Sequence, residues 1–184
     1  PAFSPTSGLK DLPMITTILD GVDSIYIPRG GSEQNKADAL NEIRKRQEEI
    51  EKTRAMLPFL IFAEGGTTNG TGIMKFKKGA FHSEKTVKPI FLKWTYETVN
   101  PAFDTIPFAA LAVFTLSTLG GMHCEVNKLP NFTPNDYMLE THKNLGSERW
   151  EVFAWAVRDA LLTASGFDAC NYSIKEKNLY EELM

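Results

Sequence analysis

Apolar and polar positions along the chain fall into blocks of different period, and each block predicts an element. Residues 14–19 are apolar and predict the start of a short helix. Residues 23–29 alternate with an apolar bias through Tyr26 and Ile27, the pattern of a strand that stops at Pro28 and leaves Arg29 at its end. Ser32 is placed to cap a helix over residues 34–57, where Ala39, Leu40, Ile43, Ile50 and Met56 recur at near-helical spacing. Its Lys- and Glu-rich face reads as solvated, and its expected job is that of a crossover helix between two parallel strands, with partner binding as the alternative. An apolar run at 57–62 reads as a buried strand leading into Glu64-Gly65-Gly66. Further strands are expected over 85–94 and 125–129. An amphipathic helix follows over 148–165 (Trp150, Phe153, Ala154, Val157, Leu161), stopped by Gly166, and then a short charged helix within 172–184. Residues 1–13, rich in Pro, Ser and Gly, read as loop, and residues 133–136 as a loop or capped turn.

One block has no period. Residues 105–122 carry no charge over 18 positions, the lower limit for crossing a bilayer. Pro107 near the start, Gly120-Gly121 near the end and several hydroxyls favour a segment buried or laid against a membrane. The length alone leaves a span open.

With 184 residues, 42% of them hydrophobic and 23% charged, the chain can build one globular core. A net charge of -3 and a pI near 5.7 argue against nonspecific nucleic-acid binding, which needs a basic face. Cys124 and Cys170 form neither a disulfide framework nor a metal spacing and are expected to be buried small residues in a reducing compartment. The sequons at Asn69, Asn131 and Asn171 read as chance, since a glycan on Asn69 would block the loop described next. The first residue is Pro1 and no signal-peptide pattern follows it. The expectation is a single domain over residues 1–184 that lacks its N-terminal part.

The chemistry concentrates in residues 59–81, FLIFAEGGTTNGTGIMKFKKGAF. A strand ending in a carboxylate and a glycine-rich loop is how an α/β protein sets polar groups at a sheet edge. Gly65 and Gly66 permit a tight turn with exposed N–H groups, and Thr67, Thr68 and Asn69 add donors and acceptors. That combination suits an anion or a polar headgroup. No G-K-[ST] is present, so this is not a nucleotide P-loop. Ser83 beside His82 lacks the G-x-S-x-G elbow of a serine hydrolase. His123-Cys124-Glu125 lacks metal partners and reads as a core histidine beside a buried cysteine. From residues alone, Arg29 is either a surface ion-pair partner or a phosphate ligand, and Glu64 either a solvent-facing loop residue or part of a site.

The stretch F-x-E-G-x-x-T from Phe62 to Thr68, followed by F-K-x-G-A-F from Phe76 to Phe81, resembles the third block of the glycerolipid acyltransferases. The likeness is strongest to the lysophospholipid acyltransferase branch. Tyr26, Ile27 and Arg29 match the second block, with Asp23 where that block has Gly. Val87, Pro89 and Ile90 resemble the fourth. Ala63 stands in place of the usual Pro and Gly66 in place of the usual Thr. The resemblance implies an α/β fold in which a mixed sheet is flanked by helices, an αβα sandwich with a membrane-apposed apolar segment. It implies acyl transfer from acyl-CoA to a lysophospholipid or glycerol phosphate hydroxyl, with acyl-CoA as substrate, no bound cofactor and no metal. It assigns Arg29 to the lipid phosphate through its bidentate fork, and Glu64, Gly65, Gly66, Thr67, Thr68, Asn69, Lys77 and Gly79 to the substrate-binding loops. The implied location is an intracellular membrane, of the endoplasmic reticulum or the mitochondrion. The family's catalytic base is the His of an H-x4-D motif. Here His82, His123 and His142 are followed five positions later by Val87, Lys128 and Ser147, so no residue of this sequence inherits that role. The alternative is a catalytically inactive relative that binds lipid or joins other protein subunits of a membrane complex.

Overall fold

The long polar-faced block in the first third of the chain forms α2 (Glu33–Thr53), and Ser32 caps it, its hydroxyl accepting from the Asn35 N–H at 3.4 Å. The computed structural model describes residues 2–3, 13–26, 32–53, 58–98, 100, 108–117 and 121–183. They divide into two units, Pro1–Ala63 with Lys78–Lys85, and Glu64–Lys77 with Thr86–Met184.

In the first unit, β1 (Ala2–Phe3) runs parallel to β2 (Phe59–Leu60), with Ala2 opposite Phe59. The segment expected to be loop therefore contributes a strand. The core gathers Ala2, Ile25, Ile43 and Phe81, and Gly79, in the 3-10 turn Lys78–Ala80, would place a Cβ 3.6 Å from the Ile43 side chain. After α1 (Pro13–Gly21) the chain turns at Asp23, whose φ is +56°. The block that this stretch resembles has glycine here, and the left-handed backbone is consistent with that, Asp being among the few residues other than Gly that tolerate it. Arg46 on α2 holds the turn, reaching the Asp23 carboxylate at 2.5 Å and its carbonyl at 3.3 Å. Arg46 is buried, although the pattern had assigned the charged face of this helix to solvent.

The second unit contains β3 (Gly72–Ile73), β4 (Ile90–Tyr96), α3 (Phe108–Ser117), β5 (Met122–Lys128) and α4 (Asp136–Thr141). It continues with α5 (Arg149–Ser165), β6 (Asp168–Ala169) and α6 (Ile174–Leu183). The amphipathic block at 148–165 forms as expected. Val152, Phe153, Ala154, Val157 and Leu161 are buried, Phe153 stacks on Phe132 at 5.9 Å, and Gly166 ends the helix at φ +70°. Burying each large side chain of that face stabilises the unit by about 1.5–3 kcal/mol. Glu151 secures the other end. Its carboxylate accepts from the Ser147 N–H and hydroxyl and the Glu148 N–H.

The single mixed sheet does not form among the described residues. They make three separate two-stranded ladders, β1 with β2 and β3 with β6 in parallel, and β4 with β5 antiparallel. The first two are only two residues long. The 57–62 run was expected to be a buried strand, yet β2 is half-exposed and Phe62 is exposed, and among the described residues β2 pairs with β1 alone. Residues 24–26 form no ladder, but two bonds tie them to β1: the Ile25 N–H donates to the Phe3 carbonyl and the Ser24 hydroxyl accepts from the Phe3 N–H. Cys124 and Cys170 are half-buried, and His123 is exposed on β5, so neither the buried cysteines nor the core histidine is found. The uncharged block yields a helix of ten residues, and no helix among the described residues is long and apolar enough to cross a membrane.

Candidate functional site

The candidate loop lies in the second unit, where β3 follows it and β6 closes beside it. Gly72 makes that pairing close. A Cβ there would lie 2.7 Å from the Asp168 carbonyl oxygen, so no larger residue fits without moving backbone. Glu64 opens the loop and reaches back across it, its carboxylate accepting from the Met74 N–H at 2.9 Å.

Arg158 of α5 completes the frame. Its guanidinium donates to the carbonyls of Met74 at 2.9 Å, Ile73 at 2.6 Å and Cys170 at 2.6 Å. Both polar backbone groups of Met74 are thus held, the N–H by Glu64 and the C=O by Arg158. Burial raises the Glu64 carboxyl above its ordinary value, against the opposing pull of the Met74 N–H and the Arg158 charge. Burial likewise lowers Arg158. Arg158 was not foreseen. Its signal in the sequence is an arginine directly after the buried Val157 and four positions after the buried Ala154, on the edge of the packed face of α5.

Gly65 turns at φ +79°, and the Lys77 side chain lies over it, close enough that a Cβ at Gly65 would sit 2.6 Å from Lys77 Cδ and 2.9 Å from Nζ. The two positions, assigned from the two parts of that block, are therefore brought together. Gly66 abuts Ile174 at the start of α6, whose Cδ1 would clash with an added Cβ. The position where the family has Thr is filled here from the other side by an isoleucine.

The rest of the loop satisfies itself. The Thr68 hydroxyl accepts from the Gly70 N–H, and the Asn69 amide oxygen accepts from the N–H and hydroxyl of Thr71. The Asn69 carbonyl accepts from Asn100. Thr68 and Asn69 line an open cleft of about 260 Å³ with Gly72, Met74, Asp168 and Cys170. Thr67 is exposed at the loop edge. Gly79 belongs to the first unit, where a Cβ on it would lie 3.6 Å from the Ile43 side chain. Arg29 lies outside the described residues, so the partner of Glu64 that the structure gives is Met74, with the Arg158 charge beside it.

Comparison with known proteins bears on what this frame serves. The lysophospholipid acyltransferase LPEAT1 of Arabidopsis thaliana is 26% identical over 180 residues, covering 98% of this chain and 43% of that protein. The lysophosphatidylcholine acyltransferase of Drosophila melanogaster is 29% identical over 168 residues, covering 90% of this chain and 29% of its own length. Glycerol-3-phosphate acyltransferase 4 of Homo sapiens is 28% identical over 102 residues, 55% of this chain and 22% of its own length. The chain thus spans less than half the length of each. No solved structure matches it significantly. The family model described as Acyltransferase matches residues 2–93, half of the chain, including β1, α2, the Glu64 loop and the Lys77 turn, and on that match the chain belongs to the Acyltransferase family.

Proposed function

We propose that the chain serves acyl transfer from acyl-CoA to the hydroxyl of a lysophospholipid or glycerol phosphate, as part of an enzyme of phospholipid synthesis or remodelling. The observation that carries this reading is the family match over residues 2–93, which includes the loop that Glu64 and Arg158 brace. In it, Arg29 grips the acceptor phosphate through two parallel N–H bonds. The loop from Glu64 to Asn69, with Lys77 over Gly65, presents positive charge and N–H donors to the acceptor and to the oxyanion that forms when the thioester is attacked. Glu64 and Arg158 act on the backbone and keep those groups in position. Acyl-CoA is a substrate, and the chemistry asks for no metal or bound cofactor. The proposed setting is an intracellular membrane, of the endoplasmic reticulum or the mitochondrion, with an αβα sandwich holding the site at its strand ends.

The test is an acyl-transfer assay on the full-length protein, with labelled acyl-CoA and, in turn, lysophosphatidylcholine, lysophosphatidylethanolamine and glycerol 3-phosphate. Arg29→Ala is expected to raise the KM for the acceptor at least tenfold, the loss of one charge-assisted pair, and to leave the KM for acyl-CoA unchanged. Unchanged acceptor kinetics would overturn the role of Arg29. A second reading, an inactive relative that binds lipid or joins a membrane complex, draws support from one feature: the charged groups of Glu64 and Arg158 are spent on backbone. Lysophospholipid binding by the full-length protein without product formation would favour it.

A further inference from the structure

The walls of the candidate cleft come from two segments of the second unit, the loop up to Met74 and the stretch from Asp168 to Lys177. The second stretch is held firmly at one end and lightly at the other. At its start β6 pairs with β3, the Cys170 N–H donates to the Ile73 carbonyl at 3.0 Å, and Arg158 of α5 donates to the Cys170 carbonyl at 2.6 Å. Beyond Cys170 the hold is thin. The Lys75 N–H donates to the Tyr172 carbonyl at 3.0 Å, and Ile174, 7% exposed, fills the notch that Gly66 leaves. Among the described residues Ile174 is the one buried side chain of α6; Leu179 and Tyr180 are 59% exposed.

The first turn of α6 is closed from within, since the Glu176 carboxylate accepts from both the N–H and the hydroxyl of Ser173. The helix can therefore move as a body. A segment with one buried side chain opens locally at lower cost than its unit unfolds. Lys177 stands three positions after Ile174, on the same side of the helix, and lines the cleft with Thr68 and Asn69. The charged residues of that lining are Lys177 and Asp168. With α6 in place the cleft holds one ammonium and one carboxylate. With α6 released it holds the carboxylate alone, which repels a phosphate. Seating Ile174 on Gly66 and bringing a cation to the cleft are one event.

We propose that α6 is a latch on the candidate cleft: Ile174 is a positioning residue that seats the helix against Gly66, and Lys177 is the cation it brings to the phosphate of the acceptor. This rests on the reading that the cleft receives a phosphate-bearing acceptor, and the experiment separates the two. Amide exchange on the full-length protein reports the latch with no ligand present. Ile174→Ala is expected to speed exchange at the Lys75 amide at least tenfold, while the amides of Phe153 and Val157 on α5 keep their wild-type rates. Ile174→Val, a smaller truncation, should give an intermediate rate and keeps the test open if the alanine variant folds poorly. Binding of a short-chain, monomeric lysophosphatidylcholine is then titrated by calorimetry. Lys177→Ala should weaken it about fivefold, the size of one partly exposed charge contact, and Lys177→Arg should stay within about twofold of wild type. High salt should narrow the gap between the two. Ile174→Ala should weaken binding as well, and adding Lys177→Ala to it should change little more, because a released α6 has already withdrawn the charge.

Unchanged exchange at Lys75 in both Ile174 variants overturns the latch, and so does an equal rise at Lys75 and on α5, which would mean general destabilisation. Equal losses in Lys177→Ala and Lys177→Arg, additive losses in the double variant, or no binding by wild type would overturn the role of Lys177. The expected exchange and binding with no acyl transfer to any acceptor would instead defeat the catalytic reading and leave the latch standing.

Discussion

Replacing Arg158 should unfasten the candidate site before anything else. Its guanidinium makes three bonds of 2.6–2.9 Å to the carbonyls of Ile73, Met74 and Cys170, tying the end of β3 to the segment after β6 from a position on α5. A hydrogen bond from a charged donor contributes about 1.5–3 kcal/mol, so three bonds set a ceiling of roughly 5–9 kcal/mol. The side chain is only half-buried, and water will reach some of the vacated carbonyls, which lowers the expected loss for Arg158→Met to about 2–4 kcal/mol. Lysine keeps the charge but is a point donor that cannot span three carbonyls, so Arg158→Lys should lose about half as much. Urea unfolding followed by the emission of Trp150 and Trp155, both on α5, reads this directly. With a slope of about 1–3 kcal/mol/M, the methionine variant's midpoint should fall by roughly 1–2 M. A midpoint within about 0.3 M of wild type would refute the reasoning and show that water replaces the clamp at no cost.

Two further outcomes follow from the same loop. Gly66→Ala should destabilise the protein by about 1–3 kcal/mol through overpacking against Ile174, and Ile174→Val, which removes the Cδ1 atom, should recover much of that loss. A double-mutant cycle in denaturant measures the coupling, and strict additivity would count against the contact. Glu64→Gln keeps an acceptor for the Met74 N–H while removing the ionisation. The folded-state value of Glu64 is raised, so its contribution to stability is present at low pH and lost as pH climbs from the ordinary carboxylate range through the raised value. The glutamine variant should therefore gain stability relative to wild type as pH rises through that window and hold the difference above it. A flat or opposite difference in unfolding midpoint across pH would contradict the assignment.

Elements that depend on neighbours in sequence were legible. The face of α5, its stop at Gly166 and the Ser32 cap follow from local spacing and a few capping atoms. So does the position of the glycine turn, since a left-handed φ, +79° at Gly65, is one that glycine adopts without steric cost. The block wording from Phe62 to Phe81 likewise carried the family, because it is a property of the residues in order.

What only the tertiary structure decided involves partners distant in the chain. Strand pairing is one case. The two-residue β6 has no periodicity to announce it and exists because Gly72, almost a hundred positions earlier, lets a backbone approach. Among the described residues the ladders stay separate, and the sequence could not say so: alternation tells which residues could form strands but not which strands meet. Arg46 and Arg158 are ordinary helix cations in the pattern, and their burial follows from carbonyls delivered by other segments. The exposure of β4–β5 is the last case. Alternation separates the two faces of a ribbon, but whether either is covered depends on side chains brought by segments distant in the chain, and here Leu92, Trp94, Tyr96, Met122 and Val126 remain exposed while Phe91 packs on Phe167.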